Sequence, residues 1–314
     1  MKESLIKGLK AGLQTTWTLG KVIFPITLIV TLLRYTPVLD WIVHFITPFM
    51  GILGLPGEAA IPLVLGNFLN LYAGIAGILT LDLAVKEVFI LAVMLSFSHN
   101  LIIESTVAAK VGIKLWVILA VRIGLAFTSA IIINLVWQGG QEQAQYGFIS
   151  SSSTESSGWG EIMVEGVTKA GLGVVQLAAI VIPLMIIIQF MKDLGWLHVF
   201  SRWMAPVTRS LGMKENTSMT LVAGLTIGLA YGAGVMIQAV KEDGVSKKDL
   251  TLAFIFLVSC HAVVEDTLVF IPLGIPVIPL LIIRVVTAIL LTMAIAFVWK
   301  RPRHITRKEA TYEN

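Results

Sequence analysis

Long apolar runs constrain this sequence more than any other feature, because several are long enough to cross a lipid bilayer. A spanning helix needs about 20 mostly apolar residues, and runs of this kind recur along the 314 residues. Only 13% of the residues are charged, against about 25% in soluble domains, and the mean hydropathy is +0.88. The sequence therefore predicts an all-α polytopic membrane protein.

Charge and cysteine content exclude several other classes. The net charge of +4 does not indicate nucleic-acid binding, since the basic residues collect at the edges of the apolar runs. The single cysteine, Cys260, excludes an intramolecular disulfide. Met1–Lys10 leads into a long apolar segment without a small-residue cleavage site, so no cleavable signal peptide is expected.

The chain contains an internal duplication. The pairs that match at one offset are Pro25 and Pro183, Pro48 and Pro206, Gly54 and Gly212, and Gly66 and Gly224. After an insertion in the second copy around residues 241–249, the correspondence resumes with His99 and His261, Glu104 and Asp266, and Arg122 and Arg284. Shared apolar composition does not put Pro, Gly, His and Arg in one register, so we interpret residues 1–137 and 166–299 as repeats.

Two polar segments flank the second repeat. Residues 138–165 contain the serine run 150–153, and this composition predicts a flexible linker. Residues 300–314 form a basic tail.

Each repeat predicts the same order of elements: a spanning helix, an interfacial amphipathic helix, a broken or re-entrant hairpin, a helix with a polar centre, and a spanning helix. In the first repeat these elements are residues 16–33, 37–54, 59–81, 88–105 and 115–137. In the second they are residues 171–191, 196–207, 217–239, 250–271 and 277–299.

The distribution of Lys and Arg predicts the topology, because these residues concentrate in cytoplasmic loops. With a cytoplasmic N-terminus and three crossings per repeat, only Arg34, Lys86 and Lys169 lie outside. The linker is then extracytoplasmic and the basic tail cytoplasmic. Hairpins that span fully would instead expose Lys110 and Lys114. An odd number of crossings makes the two repeats inverted, as in many secondary transporters.

A histidine and an acid lie inside one apolar run of each repeat. Placing an Asp at membrane depth costs about 2.5–3.5 kcal/mol on insertion scales, so such residues are usually functional. Asn100 and Glu104 share a helix face, whereas His99 and Glu104 do so only if the backbone breaks. In the second copy, His261 and Glu265 share a face and Asp266 is expected to point elsewhere.

These clusters and the hairpins supply the candidate substrate-binding residues. The candidates are Asn67, Asn70, Ser98, His99, Asn100, Glu104, Arg122, Tyr231, Gln238, Ser259, His261, Glu265, Asp266 and Arg284. The two arginines either bind substrate or pair with Glu104 and Asp266. The histidines suit a proton relay near neutral pH. The spacings match no metal motif, so we expect neither a metal nor a cofactor.

The arrangement resembles the Gate, or nucleoside-recognition, family of bacterial membrane proteins. The resemblance rests on Leu65-Gly66-Asn67 with Ala223-Gly224-Leu225, on Tyr72-Ala73-Gly74 with Tyr231-Gly232-Ala233-Gly234, and on the two histidine clusters. It implies a layout similar to concentrative nucleoside transporters, spore-maturation membrane proteins and ferrous-iron permease gates, a location in the bacterial cytoplasmic membrane, and a homodimer. The chain has no pair of cysteines for an iron gate, so iron is not the expected cargo.

Three functions remain open at this point. The first is a proton- or cation-coupled secondary transporter for a small polar or anionic solute, such as a nucleoside-like or phosphorylated metabolite. The solute is expected to bind near the membrane midplane, between the hairpins and the two broken helices. The second is a membrane scaffold or assembly factor that has kept a transporter fold. An intramembrane acid–base enzyme is the third and is not expected, because no strong nucleophile or metal motif accompanies the clusters.

Overall fold

The computed structural model describes residues 2–33, 35–147, 158–229, 234, 236, 237, 240 and 242–300. Over these residues the chain is helical, as predicted, and its β pairing is limited to an isolated bridge between Ala84 and Gln143. The first half contains α1 (Lys2–Leu33), α2 (Pro37–Ile52), α3 (Ala60–Phe68), α4 (Leu71–Ile78), α5 (Val85–Ser98), α6 (Leu101–Lys110) and α7 (Leu115–Val136). The second contains α8 (Trp159–Asp193), α9 (Trp196–Ser210), α10 (Ser218–Ile227), α11 (Lys247–Ser259), α12 (Glu265–Leu268) and α13 (Val277–Lys300).

The length and hydropathy of these helices make the chain a membrane protein. Among the described residues, five helices are long and apolar enough to cross a bilayer, or six if the bent pair His44–Ile52 and Gly57–Phe68 forms one span. The five are Lys2–Leu33, Val85–Lys110, Leu115–Val136, Trp159–Asp193 and Val277–Trp299.

The helix with a polar centre that the sequence predicts over residues 250–271 is interrupted in the structure, as expected of a broken helix. Helix α11 ends at Ser259, Cys260 is extended, and Ala262 has a left-handed backbone with φ of 42°. The chain resumes with the single turn of α12. The polar residues at the centre of this segment break the helix instead of lying along one face of it.

The long helices α1 and α8 run antiparallel and touch along most of their length. Gly8 lies against Ile186, Gly12 against Ile182, Gly20 against Val174, and Gly166 against Leu28. A Cβ atom on Gly8 would be 2.6 Å from the Cα of Ile186. Small residues let membrane helices approach closely enough for their backbones to pack, and glycine has this role here.

Helices α5 and α11 form the centre of the molecule, and almost all of their residues are buried. A helix that is apolar on all sides needs such a position. Each packs against the long helix of its own half, α7 or α13, and also against that of the other half. The hairpin of α3 and α4 lies against α5, where Gly66 and Gly74 approach each other and contact Leu95.

The linker predicted over 138–165 differs from the structure in both described parts. Residues 138–147 pack against the segment before α5, with Ala144 N donating to Leu83 O and Lys86 N to Gly140 O, at 2.9 and 2.8 Å. Ala144 and Tyr146 are buried. From Trp159 onwards the chain already belongs to α8. The serine run lies outside the described residues. Backbone hydrogen bonds hold residues 138–147 in place, although the polar composition of this segment predicted a flexible linker.

The close contact of α1 with α8 yields a stability prediction. Gly8→Ala should destabilise the protein by about 1–3 kcal/mol, because the new methyl group meets the backbone of Ile186. Gly171→Ala on α8 is the matched control, since its methyl group would enter open space and alanine favours a helix by up to about 1 kcal/mol. Thermal unfolding of the purified protein in detergent measures both. Equal melting temperatures for the two variants would contradict this packing.

Candidate functional site

A break between α5 and α6 positions the first polar cluster. Asn100 has a left-handed backbone with φ of 53°, and its backbone N–H donates to Gly66 O of the hairpin at 2.8 Å. The break brings His99 Nε2 to 3.4 Å from Glu104 Oε1, although a continuous helix would put these side chains on different faces. The sequence required a backbone break for this contact, and the break is present.

The second half repeats this construction over a longer break. The amide of Ala262 donates to Gly224 O at 3.0 Å, as Asn100 does to Gly66. His261 Nε2 lies 3.8 Å from Asp266 Oδ2, and both residues face the same cavity as Glu265. The prediction that Asp266 points away from His261 is wrong, because helical periodicity does not continue through residues 260–264.

The two histidines meet where the halves touch. Their ring centroids are 5.2 Å apart, and both side chains are buried. His99 Nδ1 lies 2.7 Å from Leu95 O, and His261 Nδ1 lies 2.9 Å from Leu257 O. The Nε2 atoms therefore face the acids, and Glu104 lies 3.2 Å from His261 Nε2 of the other half.

Each buried arginine binds the broken segment and the acid of its own half. Arg122 donates from Nε to Phe97 O at 2.9 Å, contacts His99 O through Nη2, and pairs with Glu104 at 2.9 Å. Arg284 donates from Nη2 to His261 O and to Asp266 Oδ2, both at 2.8 Å. Neither guanidinium lines the cavity described next. This geometry favours the pairing role over direct substrate binding.

A cavity of about 350 Å³ lies between the hairpin, the two breaks and α1. The polar side chains in its wall are Thr18, Asn70, Tyr72, Asn100, Glu104, His261, Glu265 and Asp266. Three of these are carboxylates, and the described lining includes no Lys or Arg. The cavity can thus accept hydrogen bonds and positive charge.

Glu265 is unlike the other two acids of the cavity. The Tyr72 hydroxyl donates to its Oε1, and within the described chain no Lys, Arg or His nitrogen forms an ion pair with its carboxylate. Ile103 occupies the corresponding position of the first repeat and also lines the cavity. Glu265 therefore has no counterpart in the other half.

The remaining candidates lie at different distances from the cavity. Asn70 is in its wall and caps α4 by accepting from Ala73 N at 2.9 Å. Ser98 and Ser259 donate to carbonyls one turn back in their own helices. Asn67 is half-buried outside the wall. Tyr231 and Gln238 lie outside the described residues.

Sequence reasoning missed two polar residues of the wall, Thr18 and Tyr72. Tyr72 and Tyr231 begin the two motifs on which the family resemblance rests, so choosing both tyrosines would have found it. Nothing in the local pattern marks Thr18. The structure also brings ligand atoms of His99, His261 and Asp266 within 4.8 Å of one another, a grouping that the linear spacing does not reveal.

The arginine pairs generate a test of their role. Arg122→Gln should destabilise the protein by about 3–5 kcal/mol, because Glu104 then remains buried without its cation. The double variant Arg122→Gln/Glu104→Gln removes both charges and should recover part of this loss. Size-exclusion profiles and melting temperatures in detergent measure the effect. A folded Arg122→Gln protein with the wild-type melting temperature and impaired solute binding would instead place Arg122 in the binding machinery.

Comparison with known proteins identifies the family of the chain. A family model described as Gate, nucleoside recognition, matches residues 16–114 and 174–288, one segment in each half. The chain is 75% identical over 301 residues to the "Uncharacterized membrane protein YvoD" of Bacillus subtilis (strain 168), and the match covers 96% of each chain. No solved structure matches. The chain belongs to the Gate family of membrane proteins.

Proposed function

We propose that this protein is a secondary transporter in the bacterial cytoplasmic membrane, and that the cavity between the hairpin and the broken helices is its substrate site. The observation that carries the proposal is a cavity with eight polar side chains in its wall inside a core of apolar helices. Polar and ionisable groups at this depth are costly and typically mark a solute or ion pathway. Transporters commonly bind substrate at discontinuous helices near the midplane.

The composition of the wall favours a neutral or cationic polar solute. Glu104, Glu265 and Asp266 line the cavity, and its described wall contains no basic side chain other than His261. A phosphorylated metabolite would meet this wall with like charge, so the anionic substrates that the sequence left open are less well supported. A volume of about 350 Å³ lies within the usual range for small-molecule pockets, and the family description favours a nucleoside-like solute.

The arrangement of α1 and α8 supports inverted repeats. The two helices correspond in the duplication, and their contacts are reciprocal: Gly8 packs on Ile186, and Gly166, its counterpart, packs on Leu28, the counterpart of Ile186. Equivalent helices run antiparallel when a two-fold axis lies in the membrane plane. With the basic residues cytoplasmic, both termini are inside and the linker is outside.

Transport in this proposal requires that access to the cavity alternates. Thr18 and Leu19 of α1 close one wall of the cavity, and the hairpin and the breaks form the others. Relative movement of α1 and α8 against the hairpin would open this wall without disturbing the arginine pairs. Glu265 is the proposed proton carrier, because the Tyr72 hydroxyl is its hydrogen-bond partner and, among the described residues, no cationic side chain forms an ion pair with it.

Uptake into vesicles tests the proposal. Proteoliposomes that contain the protein should accumulate neutral nucleosides or other uncharged or cationic polar solutes when a pH gradient is imposed, and should take up nucleotides poorly because the wall is acidic. Protein-free liposomes are the control. If no solute of a broad panel enters above this control with a proton or sodium gradient, transport is contradicted and the scaffold function is favoured.

Glu265→Gln tests the coupling role separately. The amide keeps the shape of the side chain and an acceptor for Tyr72 but cannot carry the proton. We expect the variant to retain exchange of solute down its gradient and to lose accumulation driven by the pH gradient. Glu215→Gln is the control, since Glu215 forms an exposed ion pair with Arg209. Wild-type accumulation by Glu265→Gln would exclude Glu265 as the carrier.

A further inference from the structure

We propose that His99, His261, Glu104 and Asp266 form a binding site for one divalent transition-metal ion of the Zn²⁺ type, at the contact between the two halves. This inference does not depend on transport, because it concerns equilibrium binding of an ion. It contradicts the expectation from the sequence that there is no metal site. That expectation rested on spacing within each half, whereas the site takes one histidine and one acid from each.

The hydrogen bonds of the histidines fix which nitrogen is free. Nδ1 of His99 and Nδ1 of His261 both face a backbone carbonyl, at 2.7 and 2.9 Å. A carbonyl oxygen can only accept a hydrogen bond, so each Nδ1 carries a proton. In the neutral ring, Nε2 then presents a lone pair. This is the arrangement of most metal-binding histidines, whose other nitrogen is held by a carbonyl or carboxylate.

The Nε2 atoms face groups that also only accept. Glu104 Oε1 lies 3.4 Å from His99 Nε2 and 3.2 Å from His261 Nε2. An ionised carboxylate has no proton to donate, so neutral histidines would leave lone pairs facing lone pairs in a buried site. Such an arrangement is unfavourable unless the rings are protonated or a cation lies between the groups.

The spacing of these atoms suits a metal ion. Zn²⁺ binds nitrogen and oxygen ligands at about 2.0–2.2 Å in a tetrahedron, which separates neighbouring ligand atoms by roughly 3.3–3.6 Å. The separations of 3.2 and 3.4 Å from Glu104 and of 3.8 Å between His261 and Asp266 bracket this range. Ligand atoms of His99, His261 and Asp266 all lie within 4.8 Å of one another.

The sum of the buried charges around the site is compatible with a bound cation. Glu104, Glu265 and Asp266 carry three formal negative charges when Glu265 is deprotonated, and Arg122 and Arg284 carry two positive ones. The ion pair of Arg122 uses Glu104 Oε2, so Oε1 remains directed at the histidines. Two imidazole ligands favour Zn²⁺ and related ions over Na⁺ or Mg²⁺, which prefer oxygen ligands.

Metal titration of the purified protein tests the inference. Chelator-treated wild-type protein in detergent, without solute, should bind one Co²⁺ per chain and develop the visible absorption of a tetrahedral site, and Zn²⁺ should displace the Co²⁺. His99→Gln and His261→Gln should each weaken binding more than 100-fold, since loss of an outer-shell partner alone costs about 10–100-fold. His198→Gln is the matched control, because His198 is an exposed residue of α9.

Two results would overturn the inference, and a further measurement covers variants that fail to fold. Wild-type protein that takes up no Co²⁺ or Zn²⁺ would exclude the site, and so would unchanged affinity in His99→Gln and His261→Gln. If these variants aggregate, the wild-type protein decides: Co²⁺ or Zn²⁺ should raise its melting temperature, and an unchanged melting temperature would overturn the inference. Absence of solute uptake in vesicles would leave this result unaffected.

Discussion

The two buried arginine–carboxylate pairs are the interaction on which the rest of this structure depends. Breaking a helix at membrane depth leaves backbone carbonyls without partners, and each unsatisfied group costs several kcal/mol in hydrocarbon. Arg122 binds the carbonyls of Phe97 and His99 and pairs with Glu104. Arg284 binds the carbonyl of His261 and pairs with Asp266. Each guanidinium therefore stabilises a break and also neutralises the acid that follows it.

The breaks, once stabilised, create the site. They bring His99 and His261 together across the interface of the halves, and they open the cavity that Asn70, Tyr72 and Glu265 help to line. Continuous helices in the same positions would pack closely and leave no polar space. The proposed function thus depends on helix ends that the arginines stabilise in an apolar environment.

The frame of the molecule is duplicated, whereas one acid of the cavity is present in only one half. The contacts that build the frame occur twice, including the hydrogen bonds that the backbone N–H groups of Asn100 and Ala262 donate to Gly66 O and Gly224 O. The feature that we connect with proton coupling occurs in one half, because Glu265 corresponds to Ile103 in the other. Because this acid is present in one half only, the two halves contribute different groups to the cavity wall, whereas two identical halves would contribute the same groups.

The sequence by itself determined the helical class, the duplication, the position of the hairpin in the first half, and the pairing of each arginine with its acid as one of two alternatives. These features follow from periodicity, composition and register, which are local or repeated. Only the tertiary structure decided the contact of Asp266 with His261, the partner of Glu265, the packed course of residues 138–147, and the grouping of the histidines and acids of both halves. His261 and Glu104 are 157 residues apart, and helical periodicity does not apply across a break, so no pattern along the chain could place these side chains together.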